Sequence, residues 1–158
     1  MEFFNTFLGK IISVFFGAMV PVGELRTSIP LGVGAGLDIW LSTVVSILGN
    51  MVPVPFIILF VRKAFEWMRK KSGKLDKLVV YLEKKAEKHR SKVEKSKFWG
   101  LMILVAIPLP GTGAWTGALV AAMLEMRLKD AIPAIFLGVV AAGIIVALVT
   151  TGVVTLAF

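Results

Sequence analysis

The chain has no cysteine and only one histidine among its 158 residues. Without cysteine there are no disulfides, thiolate metal sites or thiol nucleophiles, and the redox compartment leaves no mark. The histidine, His89, lies in a strongly polar stretch, which argues against a His-based metal centre or catalytic triad. The amino terminus, "MEFFNTFLGK", begins with an acid and lacks a basic n-region and a small-residue cleavage site, so it reads as part of the mature protein. Long apolar runs are few. Only Ile39–Val61 (23 residues) and Ala131–Phe158 (28 residues), both uncharged, span a bilayer comfortably; the other apolar pieces are too short or too interrupted. The first would make a helix of about 34 Å at about 1.5 Å per residue. Phe3–Met19 carries Lys10, and Leu31–Leu37, Phe98–Ile107 and Ala114–Leu124 are 7, 10 and 11 residues long. Such lengths suit re-entrant hairpins. An ordinary short crossing is the alternative for Phe3–Met19.

Hydrophobic residues make up 57% of the sequence and the mean hydropathy is +0.85, the composition of a polytopic membrane protein rather than a soluble domain. The sequence also says nearly the same thing twice. "VPVGELRTSIPLGVGAGLD" in the first half corresponds to "IPLPGTGAWTGALVAAMLE" in the second. Pro21 pairs with Pro108, Leu37 with Leu124 and Asp38 with Glu125 at an offset of 87; two extra residues after that point pair Gly49 with Gly138. Each copy is an apolar arm, a Pro/Gly-broken turn, a second short arm, an acid and a long apolar segment. This is the pattern of an inverted-repeat transporter. The expected organisation is a single all-α membrane domain over 1–158, with repeat 1 at 1–61, a connector at 62–97 and repeat 2 at 98–158. Each repeat is a re-entrant helical hairpin plus a transmembrane helix.

Charge orients this arrangement. Residues 62–97 hold 14 of the 18 Lys and Arg and five of the ten acids, a net charge of +9, while the rest of the chain sums to −1. By the positive-inside rule the connector is cytoplasmic. Ile39–Val61 then starts outside, Ala131–Phe158 runs outward, the two hairpins enter from opposite sides, and both termini lie outside the inner membrane. Within the connector Leu75, Leu78, Val79, Leu82, Ala86 and Val93 share one helical face, with Gly73 as a break. An amphipathic helix along anionic lipid headgroups explains that pattern. Nucleic acid is excluded as a partner because no interleaved aromatics or recognisable module accompany the charge.

Glu24 and Arg26 stand inside the break of the first hairpin, far from any polar run. A charge near the bilayer centre costs about 2.5–3.5 kcal/mol even on the lenient insertion scale, so the pair points to a role. The alternative is a Glu–Arg pair that merely fixes the hairpin tip. Pro21 and Pro30 bracket the first break; Pro108, Pro110, Gly111 and Gly113 form the second. Helices restarting at Thr27 or Ser28, and at Thr112, would be capped by those hydroxyls. Their amino-terminal ends, with Arg26, then form a site for a phosphate or carboxylate. Glu24 has no place on that anion unless it is protonated or holds a cation, which assigns it ion coupling, to protons or Na⁺. The binding residues on this reading are Arg26, Ser28, Gly111, Thr112 and Gly113, with Trp115 as a wall for an apolar tail. Gly32/Gly36 and Gly113/Gly117 are spaced for close helix approach. Asn50 with Pro53 and Pro55 marks a polar kink. Trp40, Trp67 and Trp99 read as interface anchors.

"PVGELRTSIPLGVGAGL" followed, after a basic loop, by "IPLPGTGAWTGALVAAML" resembles the prokaryotic small multidrug export family over essentially the whole chain. That family is remotely similar to the DedA/VTT membrane proteins. The latter resemblance implies paired re-entrant hairpins, membrane-embedded acid and arginine positions matching Glu24 and Arg26, and translocation or scrambling of a lipid carrier with ion coupling. The second hairpin departs from the DedA pattern in having no arginine before Arg127. The resulting expectation is an ion-coupled transporter or flippase for an amphipathic anion such as a phosphorylated lipid carrier. It works by alternating access, as a homodimer, with no metal or cofactor. An exporter of lipophilic cations and a non-transporting membrane organiser are the alternatives. An intramembrane enzyme is disfavoured, since only Glu24, Asp38 and hydroxyl groups could serve it.

Overall fold

The computed structural model describes residues 6–21, 23–71, 77, 80, 97–109 and 112–157. These residues are helical throughout, with no strand among them. The helices are α1 (Phe7–Met19), α2 (Glu24–Gly34), α3 (Ile39–Met51), α4 (Pro53–Lys71), α5 (Lys97–Ala106), α6 (Ala114–Met123) and α7 (Leu128–Ala157).

Two stretches are long and apolar enough to cross a membrane, Ile39–Trp67 and Leu128–Val153. The first comprises α3 and most of α4, bent at Val52. Pro53 and Pro55 cause the bend, because neither can donate to the carbonyls of Gly49 and Met51 one turn back. The helix continues well past Val61 to Lys71, so the start of the basic connector is an extension of this crossing. The proposed amphipathic face at Leu75, Leu78, Val79, Leu82, Ala86 and Val93, and the break at Gly73, lie outside the described residues.

Large apolar side chains cover the outer surface, among them Phe56, Phe60, Leu148 and Leu156. Water would disfavour that surface and hydrocarbon does not, as expected of a membrane protein. The core is built from small residues instead. Ala114, Ala118 and Ala121 of α6 are fully buried, and α6 packs against α4, α5 and α7. A Cβ at Gly117 would meet Val105 at 2.5 Å, so this glycine sets how closely α5 and α6 approach. Gly32 does the same for α2, against Ser42 at 2.5 Å.

The two halves share local geometry. Gly49 of α3 seats against the Phe15 carbonyl and Ala18 of α1; Gly138 of α7 seats against the Met102 carbonyl and Val105 of α5. Helices α2 and α6 end alike: Leu37 N–H bonds the Gly32 carbonyl and Met126 N–H that of Ala121. The residues before them, Gly36 and Glu125, both have positive φ, 85° and 51°. Helix ends therefore correspond at an offset of 89 already at Gly36. The extra residues of the second half fall in the turn between α5 and α6, not after Asp38 as the sequence pairing placed them.

Of the expected breaks, Pro21 and Pro108 lie in turns between helices. Pro30 does not break anything: it lies inside α2, exposed, with the helix continuous around it. Its missing N–H leaves the Arg26 carbonyl without its helical donor, a defect that an exposed helix face tolerates. Pro110 is outside the described residues.

Candidate functional site

Helix α2 starts four or five residues earlier than capping by Thr27 or Ser28 would place it. Gly23 occupies the cap position without any side-chain cap bond, and Glu24 is the first helical residue. Its φ of 46° is left-handed, a conformation disfavoured for a residue with a Cβ. Glu24 is 7% exposed. Its carboxylate reaches across to the start of α6, where Oε1 accepts from the Trp115 N–H at 3.2 Å and the Ala114 N–H is a second partner. Trp115 is the second residue of a helix whose own cap, Gly113, has no side chain to offer. A carboxylate from α2 thus caps α6.

Gly113 is obligatory on two counts. Its φ of 141° is outside the range of L side chains, and a Cβ there would collide with the Glu24 carboxylate. The reciprocal tie comes from Arg26, whose Nη2 donates to the Thr112 carbonyl at 2.8 Å and to its hydroxyl at 3.0 Å. The Thr112 hydroxyl in turn lies 2.6 Å from the Ile107 carbonyl and 2.8 Å from that of Leu109. It therefore braces the turn and does not cap α6, contrary to the sequence expectation. Trp115 adds a third tie, its indole Nε1 donating to the Met19 carbonyl at the end of α1 at 3.1 Å.

The sequence-selected residues are thus brought together in part. Glu24, Arg26, Thr112, Gly113 and Trp115 converge. Gly111 is outside the described residues. Ser28 is elsewhere: it lies inside α2, buried, and donates to Ser46 of α3 at 2.7 Å, so it neither caps a helix nor faces the convergence. The second helix amino terminus does not meet an open anion site either; Glu24 itself occupies it. Asn50, read from sequence with Pro53 and Pro55 as a polar kink bordering a pathway, belongs to the group. It is fully buried and lines a small cavity with Glu24, Arg26 and Gly113.

A second contact joins the halves at the other end of α6. The Arg62 guanidinium of α4 donates to the Met126 carbonyl in the turn before α7. Among the described residues no cluster of three acids or histidines is placed to hold a metal ion.

A family model described as "putative small multi-drug export protein" matches residues 24–145. The match begins at Glu24 and takes in Arg26, Asn50, Thr112, Gly113 and Trp115. No curated protein and no solved structure matches the chain.

Proposed function

The chain belongs to the small multi-drug export protein family, and on that premise we propose that it is an ion-coupled transporter of an amphipathic anion such as a phosphorylated lipid carrier. One observation carries the reading: the Glu24 carboxylate sits on the α6 amino terminus, where an anionic headgroup would bind. A carboxylate held by those N–H groups is itself a bound oxyanion. The cargo and Glu24 would then compete for one set of donors. When a cation neutralises Glu24, its hold on Trp115 weakens and the amides become available. Arg26, now spent on Thr112, supplies the positive partner for the headgroup. Empty, unneutralised protein stays latched; loaded protein is free to change state. This links ion and substrate without a further device.

The membrane arrangement belongs to the same proposal. Helices α1 and α2, and α5 and α6, are the two re-entrant hairpins, and the bent α3–α4 and the long α7 are the crossings. The paired glycine seats at Gly49 and Gly138 support an inverted repeat. The net +9 of residues 62–97 supports a cytoplasmic connector against anionic lipid. A homodimer would supply scaffold that a chain of this length lacks. No step calls for catalysis or a cofactor.

The test uses proteoliposomes carrying a fluorescent polyprenyl phosphate and an imposed ion gradient. Arg26→Ala is expected to abolish flux. Glu24→Gln, which keeps an oxygen for the Trp115 N–H, is expected to fold and to lose the gradient dependence. Gradient-driven flux retained in both variants would overturn the proposal. Export of lipophilic cations, the reading closest to the family's description, predicts the opposite dependence: binding that needs Glu24 and ignores Arg26.

A further inference from the structure

The polar side of α3 is longer than transport of an anion requires. Ser42, Ser46 and Asn50 recur every fourth residue, so they share one helix face, and all three are fully buried. The middle of this strip is satisfied by the Ser28–Ser46 hydrogen bond. Its ends are not: among the described residues Ser42 Oγ and both polar atoms of the Asn50 amide make no well-formed hydrogen bond, although the Asn50 side chain lies close enough to the Glu24 carboxylate to act on it. Burying an amide unpartnered is costly, and an apolar residue of similar volume would avoid that cost. The polar group that Asn50 faces is the Glu24 carboxylate, and its amide has donor and acceptor capacity left for a further partner.

The cavity that Asn50 shares with Glu24 identifies its chemistry. Its free space is about 10 Å³, room for a single water-sized guest. Side-chain oxygens on its wall come from Glu24 and Asn50, whereas a hard cation gathers about six oxygen ligands. The Arg26 guanidinium on the same wall would repel a metal ion. Among the described residues of that wall, Arg26 is also the one ionisable group facing Glu24. From α5, α6 and α7 the wall presents Val105, Ala114 and Val139, which carry no charge.

We infer that Asn50 and Glu24 hold one water between them and that this water delivers a proton, which is the coupling ion. This rests on the reading of Glu24 given above and adds the ion and its second residue. Asn50 stays neutral and orients the water. The water accepts a proton arriving along the hydroxyl strip and passes one to the Glu24 carboxylate. Glu24 goes from anionic to neutral, and the water is regenerated. The strip leads from the exposed Asp38 cap of α3 past Ser42 and Ser46 towards the cavity.

Infrared difference spectra between low and high pH provide a test that needs no cargo. One protonated-carboxyl band is expected, absent in Glu24→Gln and shifted in Asn50→Leu. In proteoliposomes with fluorescent polyprenyl phosphate, flux should follow a pH gradient and ignore an equal Na⁺ gradient. Asn50→Leu should lose the pH drive while keeping the fold, because leucine matches the volume of asparagine and needs no polar partner. Asn50→Ala, which only deletes atoms, should lose the drive too and stands in if the leucine variant does not fold. Flux driven by Na⁺, or an unshifted band with full pH drive in the Asn50 variants, would overturn the inference. Gradient-driven flux retained in both Arg26→Ala and Glu24→Gln sinks the transport proposal itself. Loss of coupling in Glu24→Gln alone, with the Asn50 variants fully coupled, sinks only the water site.

Discussion

The Glu24 carboxylate fills the space that a side chain at Gly113 would need. These residues lie in different halves of the chain, and each explains an oddity in the other. Glu24 adopts a left-handed backbone that aims its carboxylate at α6, and Gly113 adopts a φ of 141° that opens the α6 amino terminus to it. The first is disfavoured for a residue with a Cβ, and the second is open only to glycine. Together they make a polar latch between two helix pairs, beside Arg26 on Thr112 and the Trp115 indole on Met19.

Gly113→Ala should destabilise the protein by about 1–3 kcal/mol, since it meets both an unfavourable φ and the carboxylate. Replacing Glu24 by alanine in the same chain should recover the steric part but not the backbone part. Chemical denaturation of the single and double variants in detergent measures this coupling. Strictly additive effects would mean the two residues do not meet.

Trp115→Phe keeps an aromatic ring and deletes the donor to the Met19 carbonyl. A loss of about 0.5–1.5 kcal/mol is expected, the ordinary net worth of one neutral hydrogen bond. A change in flux out of proportion to that loss would instead place the indole against the cargo, as the sequence reading had it. Melting curves and the flux assay on one preparation separate the two.

Arg62→Gln should cost about 1.5–3 kcal/mol, because it removes a charged donor from the Met126 carbonyl at the end of α6. Arg62→Lys should restore only part of this, since an ammonium lacks the planar fork. If both variants melt with the wild type, the contact between α4 and the turn before α7 is dispensable.

Topology can be read with single cysteines, because the native chain has none to confuse the labelling. Ser91→Cys in the connector should react with a membrane-impermeant maleimide only from the cytoplasmic side. Leu156→Cys, 91% exposed near the end of α7, should react only from the outside. Labelling of both from one side would remove the opposed orientation of the two halves.

Much of this was legible in the residues themselves. Composition and the length of uninterrupted apolar runs give the membrane protein and its two helices long enough to cross a bilayer, since these depend on transfer free energy summed over neighbours in the chain. Pro21 and Pro108 mark real turns because a missing N–H acts locally. The same local rule misread Pro30, whose exposed position in α2 lets the helix continue. Ser28 and Thr112 had the chemistry of helix caps but not the role, because both hydroxyls found other partners. Sequence likewise determined that a buried acid and arginine needed partners, though not which ones. Those partners lie 91 and 86 residues away, and only tertiary packing could bring the α6 amino terminus to Glu24, Thr112 to Arg26 and Asn50 to the cavity between them. Hydrogen bonds need ångström-scale placement of both groups, and no periodicity within one segment encodes where a distant segment will dock.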